Sequence, residues 1–160
     1  MFLVNDSVED RRHKIISFVD NGEIAIAVLL AAANFEWTLR RCIIGLGISK
    51  TSDFNKKNGI FDGCHGLKVY KTVWKKEVTP LVEQTLPEVI LNWQYLKEKA
   101  FPLRNKLIHG VEGPPGVGYG RERVIGLINA SEALVEFASL NNVNIYERIK
   151  VRKKVRSSLK

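Results

Sequence analysis

The stretch IAIAVLLAAANF, residues 24–35, runs for twelve residues without a charge and constrains the fold more than any other part of the chain. As an α-helix it rises only about 18 Å, well short of the ~30 Å hydrocarbon core of a bilayer. It therefore reads as the centre of a buried helix spanning residues 22–44. Asp20 and Glu23 have the spacing of a capping box at its start, and the glycines of GLGIS, residues 45–49, are expected to end it through a left-handed residue. The run stops at Glu36, a carboxylate set among Leu29, Ala32, Ala33, Leu39 and Ile43 at helical spacings. A charge in such company requires a partner.

Helical periodicity continues through the rest of the chain, and no stretch alternates with period two long enough to specify a sheet. The fold class is all-α, an up-and-down bundle of about five helices. Ser7 caps a first helix over residues 7–19, with Glu9 and Asp10 at the positive end of its dipole. Residues 49–66 are rich in glycine and polar side chains and read as an unusually long loop. A third helix covers residues 67–79, with Val69, Val73 and Trp74 between lysines and Pro80 as its limit. A fourth starts near Pro87, with Thr85 as cap, and runs into PLRNKLIHG, where Pro102 should kink or divide it. Residues 111–120 carry too much glycine and proline for regular structure, and a fifth helix covers residues 121–142.

The domain spans residues 1–145, followed by a basic segment, 146–160. With 45% apolar and 26% charged residues, the chain has the balance of one globular unit. Two cysteines in unlike contexts make no disulfide framework, and the N-terminus has no apolar leader, so a reducing cytoplasm fits. The net charge of +8 fits contact with polyphosphate or an acidic partner; a solubilising tail fits equally well.

Chemistry concentrates in Leu103-Arg104-Asn105-Lys106-Leu107-Ile108-His109. At 100° per residue, Ala100, Leu103, Leu107 and Ile108 share one arc, and Arg104 lies inside it. A guanidinium leaning towards the core cannot shed its charge, so it needs an anion. Glu36 is the candidate, although Glu36 is also one turn from Arg40, an ordinary intrahelical pair. The need of buried charges for pairing favours Arg104, and a buried pair predicts that Glu36→Ala costs more stability than Arg40→Ala. Asn105 and His109, four residues apart, share a neighbouring face, while Lys106 points away. Histidine is the side-chain type suited to proton exchange near neutral pH, and His109 is the one in this stretch. Cleavage of RNA by its own 2′-hydroxyl needs a base, an acid and positive donors on phosphorus, roles that suit His109 and Arg104. A histidine just before glycine is equally a familiar helix C-cap.

RNKLIHG, late in a small all-α chain and after a core helix containing ANFEWTLRR, resembles the HEPN superfamily (higher eukaryotes and prokaryotes nucleotide-binding domains), whose motif is an arginine, four to six residues and a histidine, often with a polar residue after the arginine. The resemblance implies a metal-independent endoribonuclease working as a homodimer, with two motifs forming one cleft, in toxin–antitoxin or phage-defence systems. It implies His109 as acid/base, Arg104 as the group on the scissile phosphate, Asn105 as their orienting residue and Glu36 as the acidic residue of an early helix. Some members have lost activity and act only as binding modules for an antitoxin, a nucleotidyltransferase or RNA.

Lys106, Arg121 and Arg123 are candidate contacts to an RNA backbone; the two arginines also suit a solvated helix start. GPPGVGYGR lacks the Lys-Ser/Thr pair and the preceding strand of a P-loop. Asp62, Cys64 and His65 in DGCHG have no second cluster at zinc spacing and read as a turn, so no metal or cofactor is expected.

Overall fold

The computed structural model describes residues 7–111 and 113–147; the basic segment lies outside them from residue 148 on. Among the described residues the chain is all-helical, without strands: α1 Val8–Asp20, α2 Ile24–Leu46, α3 Thr51–Asn55, α4 Leu67–Glu77, α5 Thr79–Val82, α6 Leu86–Val89, α7 Trp93–Tyr95, a π-helical turn Leu96–Ala100, α8 Phe101–Ile108 and α9 Val117–Leu140. No helix among them is long and apolar enough to cross a membrane.

Ser7 caps α1 as expected: its hydroxyl accepts from the Asp10 N–H at 3.1 Å, and the Asp10 carboxylate answers as a capping box. The box expected at Asp20 and Glu23 does not form. Instead α1 closes in a Schellman motif: Gly22, at φ +79°, donates to Val19 O, and Glu23 donates to Phe18 O at 2.8 Å. The two orphan carbonyls of α1 thus consume the backbone that a separate cap for α2 would need.

α2 is the core helix, burying Ala27, Val28, Ala31, Ala32, Phe35, Leu39, Cys42 and Ile43. It ends two residues later than expected, and Gly47 is extended, at φ −75°, rather than left-handed. Gly47 is required there for space, since a Cβ would stand 2.5 Å from the Ile43 backbone oxygen, with Glu77 Oε2 also close at 3.2 Å. Glu77 is buried, and its carboxylate accepts the Ser49 N–H and hydroxyl, both at 3.1 Å.

α9 runs beside α2 in the same direction, with Gly120 against Ile24 near one end and the Cys42 thiol donating to Leu134 O at 3.4 Å further along. α4 also runs parallel to α2, because Arg40 meets Tyr70 while Ile48 N–H reaches Glu77 O. Two successive parallel helices need a crossover, which interrupts the up-and-down alternation and explains the length of the 49–66 segment. That segment is not an open loop: α3 forms within it, and Phe54, Phe61 and Cys64 turn into the core.

The expected fourth helix is broken. α6 starts at the Thr85 cap, held by a capping box with Glu88, but stops after one turn at Val89. From Trp93 the helix runs on to Ile108, and Pro102 does not divide it. The turn before the proline is π-helical, with Phe101 N–H donating to Leu96 O, so the backbone widens where the proline ring and its missing N–H would otherwise force a break. α9 begins at Val117, earlier than the glycine content predicts. Gly120 lies inside it, where the Ile24 side chain fills the space of a Cβ.

Candidate functional site

α8 is pinned to α2 by Phe101 and Phe35, buried rings that meet edge to face with centroids 5.8 Å apart and planes at 75°. The residue after Phe35 is Glu36, and one turn beyond Phe101 comes Arg104. This packing brings Arg104 Nη2 to 3.5 Å from Glu36 Oε1, with side chains 29% and 25% exposed. The separation is longer than the ~2.7–2.9 Å of a tight charge-assisted bond, so the guanidinium is held loosely and remains open to a stronger anion. Its other terminal nitrogen, Nη1, donates to Asn105 Oδ1 at 3.1 Å.

Arg40, the competing partner for Glu36, is used elsewhere. Its Nε donates to the Tyr70 hydroxyl at 2.5 Å and its Nη2 to Cys64 O at 3.3 Å, and its guanidinium lies over the Phe61 ring. Burial pushes the Tyr70 hydroxyl up, the Arg40 guanidinium pulls it back, and the charge of Glu36 adds to the rise. Burial raises the Cys64 thiol in the same surroundings.

His109 is exposed and closes α8 as its C-cap. Gly110, at φ +64°, donates to Leu107 O, and Val111 donates to Lys106 O at 3.1 Å, a second Schellman motif. The histidine is therefore both helix cap and surface imidazole, on a backbone fixed by two bonds. Ile108 departs from the expected core arc: it is half exposed because the left-handed turn ends α8 beside it. Lys106 is exposed.

Comparison of the chain with protein-family models, curated proteins and solved structures gives no match.

The two arginines near the glycine-rich stretch part company. Arg121 is exposed and pairs with Asp20 at 3.4 Å. Arg123 is buried: its Nη1 donates to Tyr119 O at 2.9 Å and to Glu122 Oε2 at 3.0 Å, its guanidinium carbon is 3.3 Å from the Tyr119 ring centroid, and its Nε is buried without a bond among the described residues. Arg121 is therefore open to solvent on this surface, whereas the Arg123 guanidinium is buried. The early start of α9 turned Arg123 inward, one helical turn after Tyr119. Among the described residues no three His, Cys, Asp or Glu side chains converge to hold a metal. In DGCHG, Asp62 accepts the Asn58 N–H at 2.9 Å and Cys64 is buried.

The sequence reading missed Tyr70, Cys64 and Phe61 as the setting of Arg40. No periodic signal marks a contact between a core helix and a crossover loop.

Proposed function

We propose that the chain is a metal-independent endoribonuclease of the HEPN type, a toxin or phage-defence effector in which two copies of the motif form one cleft. The observation that carries this reading is the line Glu36, Arg104, Asn105: a carboxylate on α2 holds a guanidinium on α8, and the next residue holds its other nitrogen. One turn further on, His109 stands exposed at the end of the same helix.

A scissile phosphate offers Arg104 a better anion than a carboxylate 3.5 Å away, so binding exchanges the Glu36 pair for contact with phosphate oxygens. Asn105 keeps the guanidinium plane oriented through this exchange. His109 moves the proton of the 2′-hydroxyl or of the leaving oxygen, and two copies supply both roles. The positive donors stabilise the negative charge that builds on the phosphoryl oxygens.

The test is cleavage of RNA by the purified chain, with and without EDTA. Cleavage that survives EDTA and is lost in His109→Ala is the expected result; loss of cleavage in EDTA, or a fully active His109→Ala, refutes it.

A second reading, a non-catalytic module holding an antitoxin or nucleotidyltransferase partner, is favoured by Leu91 and Leu140. They are 95% and 75% exposed beside a groove of about 490 Å³. Folded wild-type protein that cleaves no RNA selects this reading.

A further inference from the structure

Along α2 one helical turn separates Glu36 from Arg40, a rise of about 6 Å. Arg40 lines a surface pocket of about 310 Å³ together with Lys56, Lys57, Phe61 and Asp62. We infer that this pocket is a phosphate subsite, which takes a backbone phosphate of the same RNA strand whose scissile phosphate lies on Arg104.

Arg40 is built for such a contact. Tyr70 holds its Nε, Cys64 O holds its Nη2, and the Phe61 ring lies 5.0 Å from its guanidinium carbon, so the fork is oriented before any ligand arrives. Among the described residues nothing bonds its Nη1 edge. A guanidinium with one edge fixed and the other unsatisfied suits a phosphate oxygen.

The crossover segment supplies the other lining residues and is closed by backbone hydrogen bonds. Ile60 N–H donates to Asp53 O at 3.0 Å and Phe61 N–H to Phe54 O at 3.2 Å, closing the turn that carries Lys56, Lys57 and Asn58. Asn58 adopts φ +58°, and at Gly59 a Cβ would lie 2.7 Å from both Asp53 O and Lys56 O. Phe54 and Phe61, with rings 5.2 Å apart, anchor the turn below.

Among the described residues three acids stand near the pocket, and Glu36, one turn along α2, is paired with Arg104. Lys56 pairs with Asp53 at 2.8 Å, and Asp62 accepts the Asn58 N–H at 2.9 Å. Lys57 makes no ion pair or hydrogen bond among the described residues. Arg40 and Lys57 are thus the two cations with capacity for a new anion. Arg40 stands one turn along α2 from Glu36, the partner of Arg104, and Lys57 lines the same pocket as Arg40, a succession of cations of the kind that follows a single-stranded backbone.

The inference rests on the RNA reading, so binding is measured apart from cleavage. The full chain is titrated with a fluorescent 2′-deoxy oligonucleotide, which lacks the attacking hydroxyl, over a range of salt concentrations. Lys57→Ala, a change at an exposed side chain, should weaken binding and make the plot of log affinity against log salt shallower by about 0.7, the value for one single-strand phosphate contact. Lys57→Arg should restore both. An unchanged slope in Lys57→Ala, or no binding by folded wild-type protein, overturns the subsite, whatever the RNA cleavage assay shows. Cleavage assayed in parallel judges the enzyme reading alone: an inactive wild type with a Lys57-dependent slope keeps the subsite and removes the enzyme. Pyrophosphate and poly-glutamate serve as competitors. Displacement of the oligonucleotide at equal charge concentration by either would make the pocket a site for free phosphate or for an acidic protein, and would overturn the assignment to RNA.

Discussion

Phe35 and Phe101 fix the register between α2 and α8, and Glu36 and Arg104 meet because those two rings do. The candidate site is therefore only as well placed as one aromatic contact. Phe101→Ala should cost about 3–5 kcal/mol, since it opens a cavity in the core. The informative variant is Phe101→Leu, which keeps most of the volume and should cost less than about 1.5 kcal/mol. On the proposed endoribonuclease reading, its RNA cleavage should fall while most of its stability is kept, because α8 shifts against α2. Wild-type cleavage by Phe101→Leu would show that the rings do not set the site.

The stability ranking of Glu36 and Arg40 should be the reverse of what charge pairing in the sequence predicts. The Glu36 to Arg104 pair is long and a quarter exposed, so solvent screens it, and Glu36→Ala should cost under about 1 kcal/mol. Arg40→Ala leaves the Tyr70 hydroxyl and Cys64 O without their donor in a largely buried setting and should cost about 1–3 kcal/mol. Urea denaturation of the two variants checks the order.

Two glycines of α9 should respond to alanine with opposite signs. At Gly120 the Ile24 side chain occupies the space of the new methyl, so Gly120→Ala should destabilise by about 1–3 kcal/mol, with partial rescue by Ile24→Ala. At Gly118 nothing lies within 4 Å, and Gly118→Ala should stabilise the helix by about 0.4–1 kcal/mol. Thermal melts of both, side by side, decide it.

Stability should decline at alkaline pH. Burial raises the thiols of Cys42 and Cys64 above their ordinary value of 9.0 and the hydroxyls of Tyr70, Tyr95 and Tyr146 above 10.0. The unfolded chain ionises these groups first. A raised folded value gives stability that is whole below the unfolded value and is lost as pH rises past it. Unfolding free energy should hold level up to about pH 8 and then fall through pH 9 and 10. Tyr70→Phe should flatten part of that fall, and a curve rising with pH in this window would contradict the burial of these groups.

Much of the architecture was legible because it follows from local rules. The apolar run of α2, the Ser7 and Thr85 caps, and the left-handed Gly110 after His109 each depend on residues within a turn or two of one another. The motif of Arg104, Asn105 and His109 could be read for the same reason, since its parts sit on one short helix. Even the idea that Glu36 and Arg104 attract each other needed only the cost of an unpaired charge near a core.

What the sequence could not settle lies wherever one backbone meets another. Whether Glu36 faces Arg104 or Arg40 was decided by the Phe35 and Phe101 contact and by Tyr70 and Cys64 claiming Arg40, all of them partners distant along the chain. Gly120 looked like a helix breaker and is a helix residue, because the closeness of Ile24 demands a position without a side chain. Arg123 looked available for RNA and is buried, because the earlier start of α9 sets it beneath Tyr119. Local propensity is a matter of fractions of a kcal/mol per residue, and close packing outweighs it. The sequence by itself determined an all-helical chain with a polar motif at one helix end; the tertiary structure alone decided which charges that motif meets.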